Sequence, residues 1–362
     1  MKKVIIIAAA ALALAACTKS EVVNRPAQEP ISFAPNALST KTLILPDGNA
    51  PEQLAFPTTE SFNVFGFADL ADGSGVNYAS PLMDNVNISY QGGDWKATTG
   101  TYLWPATGTV DFYAYYPSSL TANFLTGEDP KVLELTGINL GTSVGNQIDP
   151  LIGYTLSQIS ASKPIVNLVF KHITSQIAVT AFDATAAVAL QGKISIEKVV
   201  FNNMKTSGDY KDGTTSGKGT WDNVNTNTNF TSFSGSEVLS TTESYLSSGS
   251  FIAAIDNSAA FVVVPEGIVT GAGAQSIDVT YSIAPYSING FDYPATPSQT
   301  VNIPLYGKVS GNKFQNGKRY VFHIGISLDG ANNEILFSPK VEGWSTEDIN
   351  NITIDAVNAT LL

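Results

Sequence analysis

Apolar and polar residues alternate along this chain in short runs, broken at close intervals by glycine, asparagine, aspartate or proline. Phe62-Asn63-Val64-Phe65-Gly66-Phe67, Val110-Asp111-Phe112-Tyr113-Ala114-Tyr115, Val166-Asn167-Leu168-Val169-Phe170 and Gln176-Ile177-Ala178-Val179-Thr180 are examples from its first half. Ile194 to Val199, Phe261 to Val264, Ile277 to Tyr281 and Tyr320 to Ile324 continue the pattern. A period of two sends successive side chains to opposite faces, so each run predicts a strand with at least one buried face. Asp72-Gly73, Gly92-Gly93, Asp212-Gly213 and Asp329-Gly330 predict turns between them. The whole reads as all-β, of sandwich type. No convincing amphipathic helix exceeds about two turns; the best candidate is the Ala-rich stretch Thr180 to Leu190. Met204 to Ser250 is rich in Asn, Thr, Ser and Gly and predicts a long surface excursion.

The first residues follow a different rule. Lys2 and Lys3 precede an uninterrupted apolar stretch, Val4 to Leu14, and then Leu14-Ala15-Ala16-Cys17. Those 11 residues are well short of the ~20 that cross a bilayer as a helix. A charged start, a short apolar run and small residues before a cleavage point make a signal peptide. Cys17 is the only cysteine of 362 residues. An odd cysteine in an exported chain calls for a reason, and lipidation of Cys17 at a lipoprotein processing site supplies one. The expected order is signal peptide 1–16, a lipidated tether 17–41, an N-terminal β-sandwich domain 42–163, and a C-terminal β-sandwich domain 164–362.

Composition narrows the chemistry. The net charge is -12, and -14 once Lys2 and Lys3 leave with the signal, which argues against a nucleic-acid partner. Without further cysteines, neither disulfides nor thiolate metal sites are available. The two histidines, His172 and His323, both sit in apolar β-runs and read as structural. No Gly-x-Ser-x-Gly elbow or His-Glu-x-x-His motif occurs. No catalytic residue, cofactor or metal is therefore expected, and the chain does not read as an enzyme. Asp209 to Gly213 and Asp329 to Glu334 cluster oxygen ligands without EF-hand spacing; ordinary turn chemistry and a calcium site both stay open. Tyr113, Tyr115 and Tyr116 could form a sugar platform or pack in a core.

Several motifs in order resemble the fimbrillin family of Bacteroidetes, lipoprotein-precursor pilins and fimbrial accessory subunits. They are Leu14-Ala15-Ala16-Cys17; Ile31-Ser32-Phe33 with Ser39-Thr40-Lys41-Thr42; Phe62 to Phe67; Tyr102-Leu103-Trp104-Pro105 running into Asp111 to Pro117; Val169 to Ile177; and Gly317 to Tyr320, Ile335 to Phe337 and Val341 to Trp344. The resemblance implies two tandem transthyretin-like Greek-key sandwiches, export to the outer membrane and cell surface, and adhesion as the output. It also implies that a trypsin-like protease removes the lipidated segment with the first strand, and that a strand from another subunit fills the vacated groove. Partners would be other fimbrial subunits, the outer membrane through the lipid, and an adhesion target the residues do not name.

Mapped onto this chain, the protease has Lys19, Arg25 and Lys41 to choose from. Arg25 precedes Pro26, which disfavours it. Cutting between Lys41 and Thr42 would release Ile31-Ser32-Phe33. A donor strand is sought in the tail 345–362, where Ile352, Ile354 and Val357 mark a strand-like run; pairing of that tail within its own domain is the competing reading. Stalk, tip and anchor roles stay open, and a glycan-binding outer-membrane lipoprotein is the alternative.

Overall fold

A computed structural model describes residues 29–38, 53–70, 75–124, 132–142, 147–162, 164–213, 219–246, 260–288, 290–328, 334–343 and 357–359. The first strands are β1 (Phe33–Leu38), β2 (Gln53–Ala55), β3 (Ser61–Asp69), β4 (Met83–Gln91), β5 (Asp94–Ala97), β6 (Thr109–Tyr116), β7 (Thr121–Phe124) and β8 (Leu133–Asn139). Then come β9 (Leu151–Ile159), β10 (Val166–His172), β11 (Ser175–Asp183), β12 (Ile194–Lys211), β13 (Thr220–Val238), β14 (Ser244–Tyr245) and β15 (Phe261–Val263). The last are β16 (Ser276–Ile283), β17 (Tyr286–Ile288), β18 (Phe291–Tyr293), β19 (Thr296–Pro304), β20 (Lys318–Ser327), β21 (Glu334–Gly343) and β22 (Val357–Ala359). Among the described residues the only helical pieces are three-residue 3-10 turns. The all-β, sandwich-type expectation holds.

Three large sheets carry the structure. Sheet I runs β10-β9-β6-β3-β4-β5-β1-β2, and β1 also pairs with β10, so seven strands close into a flattened ring. Sheet II runs β14-β11-β20-β21-β22 with β15 on β11; sheet III runs β19-β16-β12-β8-β7 with β13 on β12. The ring encloses one core, containing Phe33, Phe62, Phe112, Trp95, Trp104 and Phe170. Sheets II and III face each other across a second, containing Ile177, Phe201, Phe261, Tyr281 and Phe322. A third core joins the outer face of the ring (Phe65, Phe67, Tyr113, Tyr115) to Leu133, Leu135, Tyr210 and Val262. β6 is thus buried on both faces, with Phe112 and Ala114 inward and Tyr113 and Tyr115 outward. This explains why its run is nearly continuous in large apolar residues.

Hydrogen bonding crosses position 163 in both directions. β10 pairs with β1 and β9 in sheet I, and β8 pairs with β12 in sheet III. Thr180 to Leu190 is not helical: Thr180 to Asp183 end β11, and only Val188–Leu190 form a 3-10 turn. The described residues of Met204 to Ser250 are mostly strand, not the surface loop expected of that stretch. β12 and β13 form a hairpin of 18 and 19 residues, with register shifts at four places. Its polar faces are wet, so propensity and cross-strand pairing specify it where apolar alternation does not.

Candidate assembly site: the first strand and the junction

β1 completes the ring of sheet I. Phe33 to Ala37 pair in parallel with Val166 to Phe170 of β10. Asn36 to Leu38 pair antiparallel with β2, and Phe33 stands opposite Trp95 of β5. Just upstream, the Ile31 amide donates to the Tyr102 carbonyl at 2.8 Å, and the Val166 amide to the Ser32 carbonyl at 2.9 Å. Ile31, Phe33 and Pro35 are buried while Ser32, Ala34 and Asn36 lie partly exposed, the alternation of a strand with one face in a core. The Phe33 ring meets Phe112 at 5.6 Å and Phe62 at 6.2 Å, both edge-on. Such geometry places the positive ring edge against the negative face.

Without β1, the ring opens between β5 and β10. Val166, Leu168 and Phe170 on one lip and Trp95 on the other would lose cover, and β2 would lose its pairing partner among the described residues. The facing backbone edges of β5 and β10 would be left without the pairing β1 gives them. The groove residues Trp95, Val166 and Leu168 did not stand out in sequence as a site. Leu168 and Val166 read there as ordinary core, and the parallel partner of β10 lies 133 positions upstream (Phe33 with Val166).

Cys17, Lys41, Thr42, Ile352 and Ile354 lie outside the described residues. In sequence, the Lys41–Thr42 bond falls between β1 and β2. Val357 opens β22, which pairs antiparallel with β21 at Ile335 to Phe337.

The junction beside this site is polar as well as apolar. His172 Nδ1 lies 2.8 Å from Asp149 Oδ2, and Thr174 Oγ1 donates to Asp149 Oδ1 at 2.8 Å. All three residues are buried, so His172 is a satisfied structural residue. Gln147 bonds Val262 twice, its Nε2 to the carbonyl at 2.7 Å and its Oε1 from the amide at 2.8 Å, imitating a strand partner for β15. Trp221 Nε1 donates to the Ile173 carbonyl at 2.9 Å. Burial pushes the Asp212 carboxyl up to about 6. His323 contacts Thr180 and Glu243 across the face of β11 and β20.

Asp209 is not a turn ligand: it lies in β12, and its carboxylate accepts from the Gly137 amide at 2.7 Å and from Asn223. These donors hold it below the usual carboxylate range, Asn223 most. No group of His, Cys, Asp and Glu able to hold a metal occurs among the described residues. Asp329 to Asn333 lie outside them. The tyrosine platform is not available either. Tyr113 and Tyr115 are buried in the third core, and Tyr116 is half-buried, its hydroxyl donating to Glu60 at 3.2 Å.

A fimbrial protein from Bacteroides vulgatus shares the fold at TM-score 0.53, with 15% identity, 87% of this chain covered and 99% of that one. A candidate cell-adhesion protein from Bacteroides uniformis aligns at 20% identity and TM-score 0.46, covering 87% and 99%. A sequence comparison with curated proteins finds no match. The fimbrillin-like family matches residues 52–344, and this chain therefore belongs to the fimbrillin-like family.

Proposed function

We propose that the chain is a surface fimbrial subunit whose β1 is a temporary occupant of its own groove. The precursor is exported and lipidated at Cys17, cut between Lys41 and Thr42, and loses β1; a strand of another subunit then enters between β5 and β10. The observation that carries this reading is the placement of β1. It is held by ladders on both edges and by Ile31 and Phe33 in the core, while the bond that would free it lies before β2. Two sandwich units, one around the ring core and one around the core of sheets II and III, meet at the third core in this reading. The tail containing Ile352, Ile354 and Val357 is the donor. Its β22 pairing then represents the tail at rest on its own chain, to be exchanged for the neighbour's groove. A head-to-tail contact of this kind does not close on itself and builds a filament. Adhesion is the output, and no catalysis is assigned.

The test is expression of the full chain in a Bacteroidetes host, with envelope fractions run unheated in detergent. A ladder of oligomers is expected from the native chain and monomer alone from Lys41→Ala. A native chain that gives only monomer would overturn the proposal.

A further inference from the structure

Among the described residues, several exposed large apolar side chains lie at two ends of the strand ladders, while Tyr90, Val269 and Tyr306 lie elsewhere. At one end, Asp69, Thr109 and Ile159 form the last rung of β3, β6 and β9. Ile159, Leu70 and Ile165 are all exposed there, at the end of sheet I opposite His172 and the junction. At the other end, β12 starts at Ile194, beside Val238 of β13 and Ile283 of β16. From this rung projects a small hairpin, β17 with β18.

The hairpin has one apolar face. Tyr286 pairs with Tyr293 and Ile288 with Phe291, and a period of two puts all four side chains on the same side. The tyrosine rings stack at 4.8 Å and 10°. Tyr286 and Ile288 rest on the core of sheets II and III. Phe291 is 70% exposed and Tyr293 43%. Val188, 80% exposed, lies in the 3-10 turn packed against β17. The opposite face holds Ser287, whose hydroxyl bonds Asp292. Asp292 is the only charged residue from Tyr286 to Thr296.

We propose that this face is a subunit contact, and that its occupant is the far end of sheet I, around Leu70, Ile159 and Ile165, in a second copy of the chain. Two observations select that partner. Copies of this acidic chain repel, which favours a contact made by apolar side chains; each end presents several of them beside a carboxylate, Asp69 on the sheet I rung and Asp292 on the hairpin. The outermost described segments of the chain also reach these two ends. Pro30 and Ile31 enter sheet I at its far end, while Ala359 of β22 stands opposite Ile335, on the rung where Ile326 and Asp183 close β20 and β11. A tail leaving there for a neighbour's groove carries the hairpin to that neighbour. The inference rests on the fimbrial reading and adds to it a second contact beside the exchanged strand.

The test compares the native chain with Phe291→Ser/Tyr293→Ser and with Ser287→Ala in the same host. The double variant is expected to keep its melting temperature within a few degrees and to cut the oligomer ladder about tenfold, while Ser287→Ala leaves the ladder intact. The pair Phe291→Cys/Ile159→Cys should form intermolecular disulfides that neither single variant forms. A double variant that polymerises as the native chain does would overturn the inference, as would polymer without the disulfide. Loss of polysaccharide binding by the double variant with an unchanged ladder would overturn it too, making the hairpin a glycan site. A native chain that yields no ladder defeats the fimbrial reading itself, a result distinct from failure of the hairpin contact.

Discussion

Replacing Phe33 by alanine removes the side chain that seats β1 most deeply. The ring is 3% exposed and lies edge-on to Phe62 and Phe112. Losing a buried phenylalanine costs about 3–5 kcal/mol, transfer and residual cavity together. That is comparable with the net worth of the five-residue ladder to β10, at about 1 kcal/mol per hydrogen bond. Urea unfolding of the full chain followed by tryptophan fluorescence reads the effect locally, because Trp95 stands opposite Phe33 and Trp104 lines the same core. With a slope of about 2–3 kcal/mol/M, the midpoint of the Trp95 and Trp104 transition should fall by about 1–2 M. Ser32→Ala, on the wetter face of the same segment, should change stability by no more than about 0.5 kcal/mol. A Phe33→Ala loss below about 1 kcal/mol would refute the placement of β1 in the ring core.

Other outcomes follow from the junction and the turns. Asp212 has its carboxyl raised by burial from the ordinary 3.8 to about 6. Its contribution is therefore complete below pH ~4 and lost as pH rises through 6, at about 1.4 kcal/mol per pH unit between those values. Asp212 should account for a loss of about 2–3 kcal/mol between pH 4 and 7, and Asp212→Asn should flatten denaturation midpoints across this range by that amount relative to the native chain. Gln147→Ala leaves the buried amide and carbonyl of Val262 without that partner, and should cost about 2–4 kcal/mol by urea denaturation. Gly108 has φ +86, and a Cβ there would lie 1.7 Å from the Asp69 carbonyl oxygen, so Gly108→Ala should cost more than about 2 kcal/mol and lower the melting temperature accordingly.

Much of the strand inventory was legible because the alternation is strong where one face is dry. β3, β6, β10, β11, β16 and β20 fall on runs that the pattern marks. β12 beyond Met204 and β13 were hidden, since Asn225, Asn227 and Thr231 carry no apolar signal. What selects strand there is pairing with a long neighbour, a contact between positions that only the fold brings together. The same limit applied to β10. Its alternation is plain, but its parallel partner is the distant β1, so sheet membership could not be read from position along the chain. The tyrosines of β6 misled in a different way. Alternation correctly separates Tyr113 and Tyr115 from Phe112, yet it does not reveal that a second layer, β8 with Tyr210, covers the tyrosine face.

Removal of β1 is the central claim, and the intact mass and N-terminal sequence of protein recovered from its native envelope test it most directly. The account predicts a polymer-associated form starting at Thr42 and free of lipid. A single form starting at acylated Cys17, with no shorter species, would contradict it.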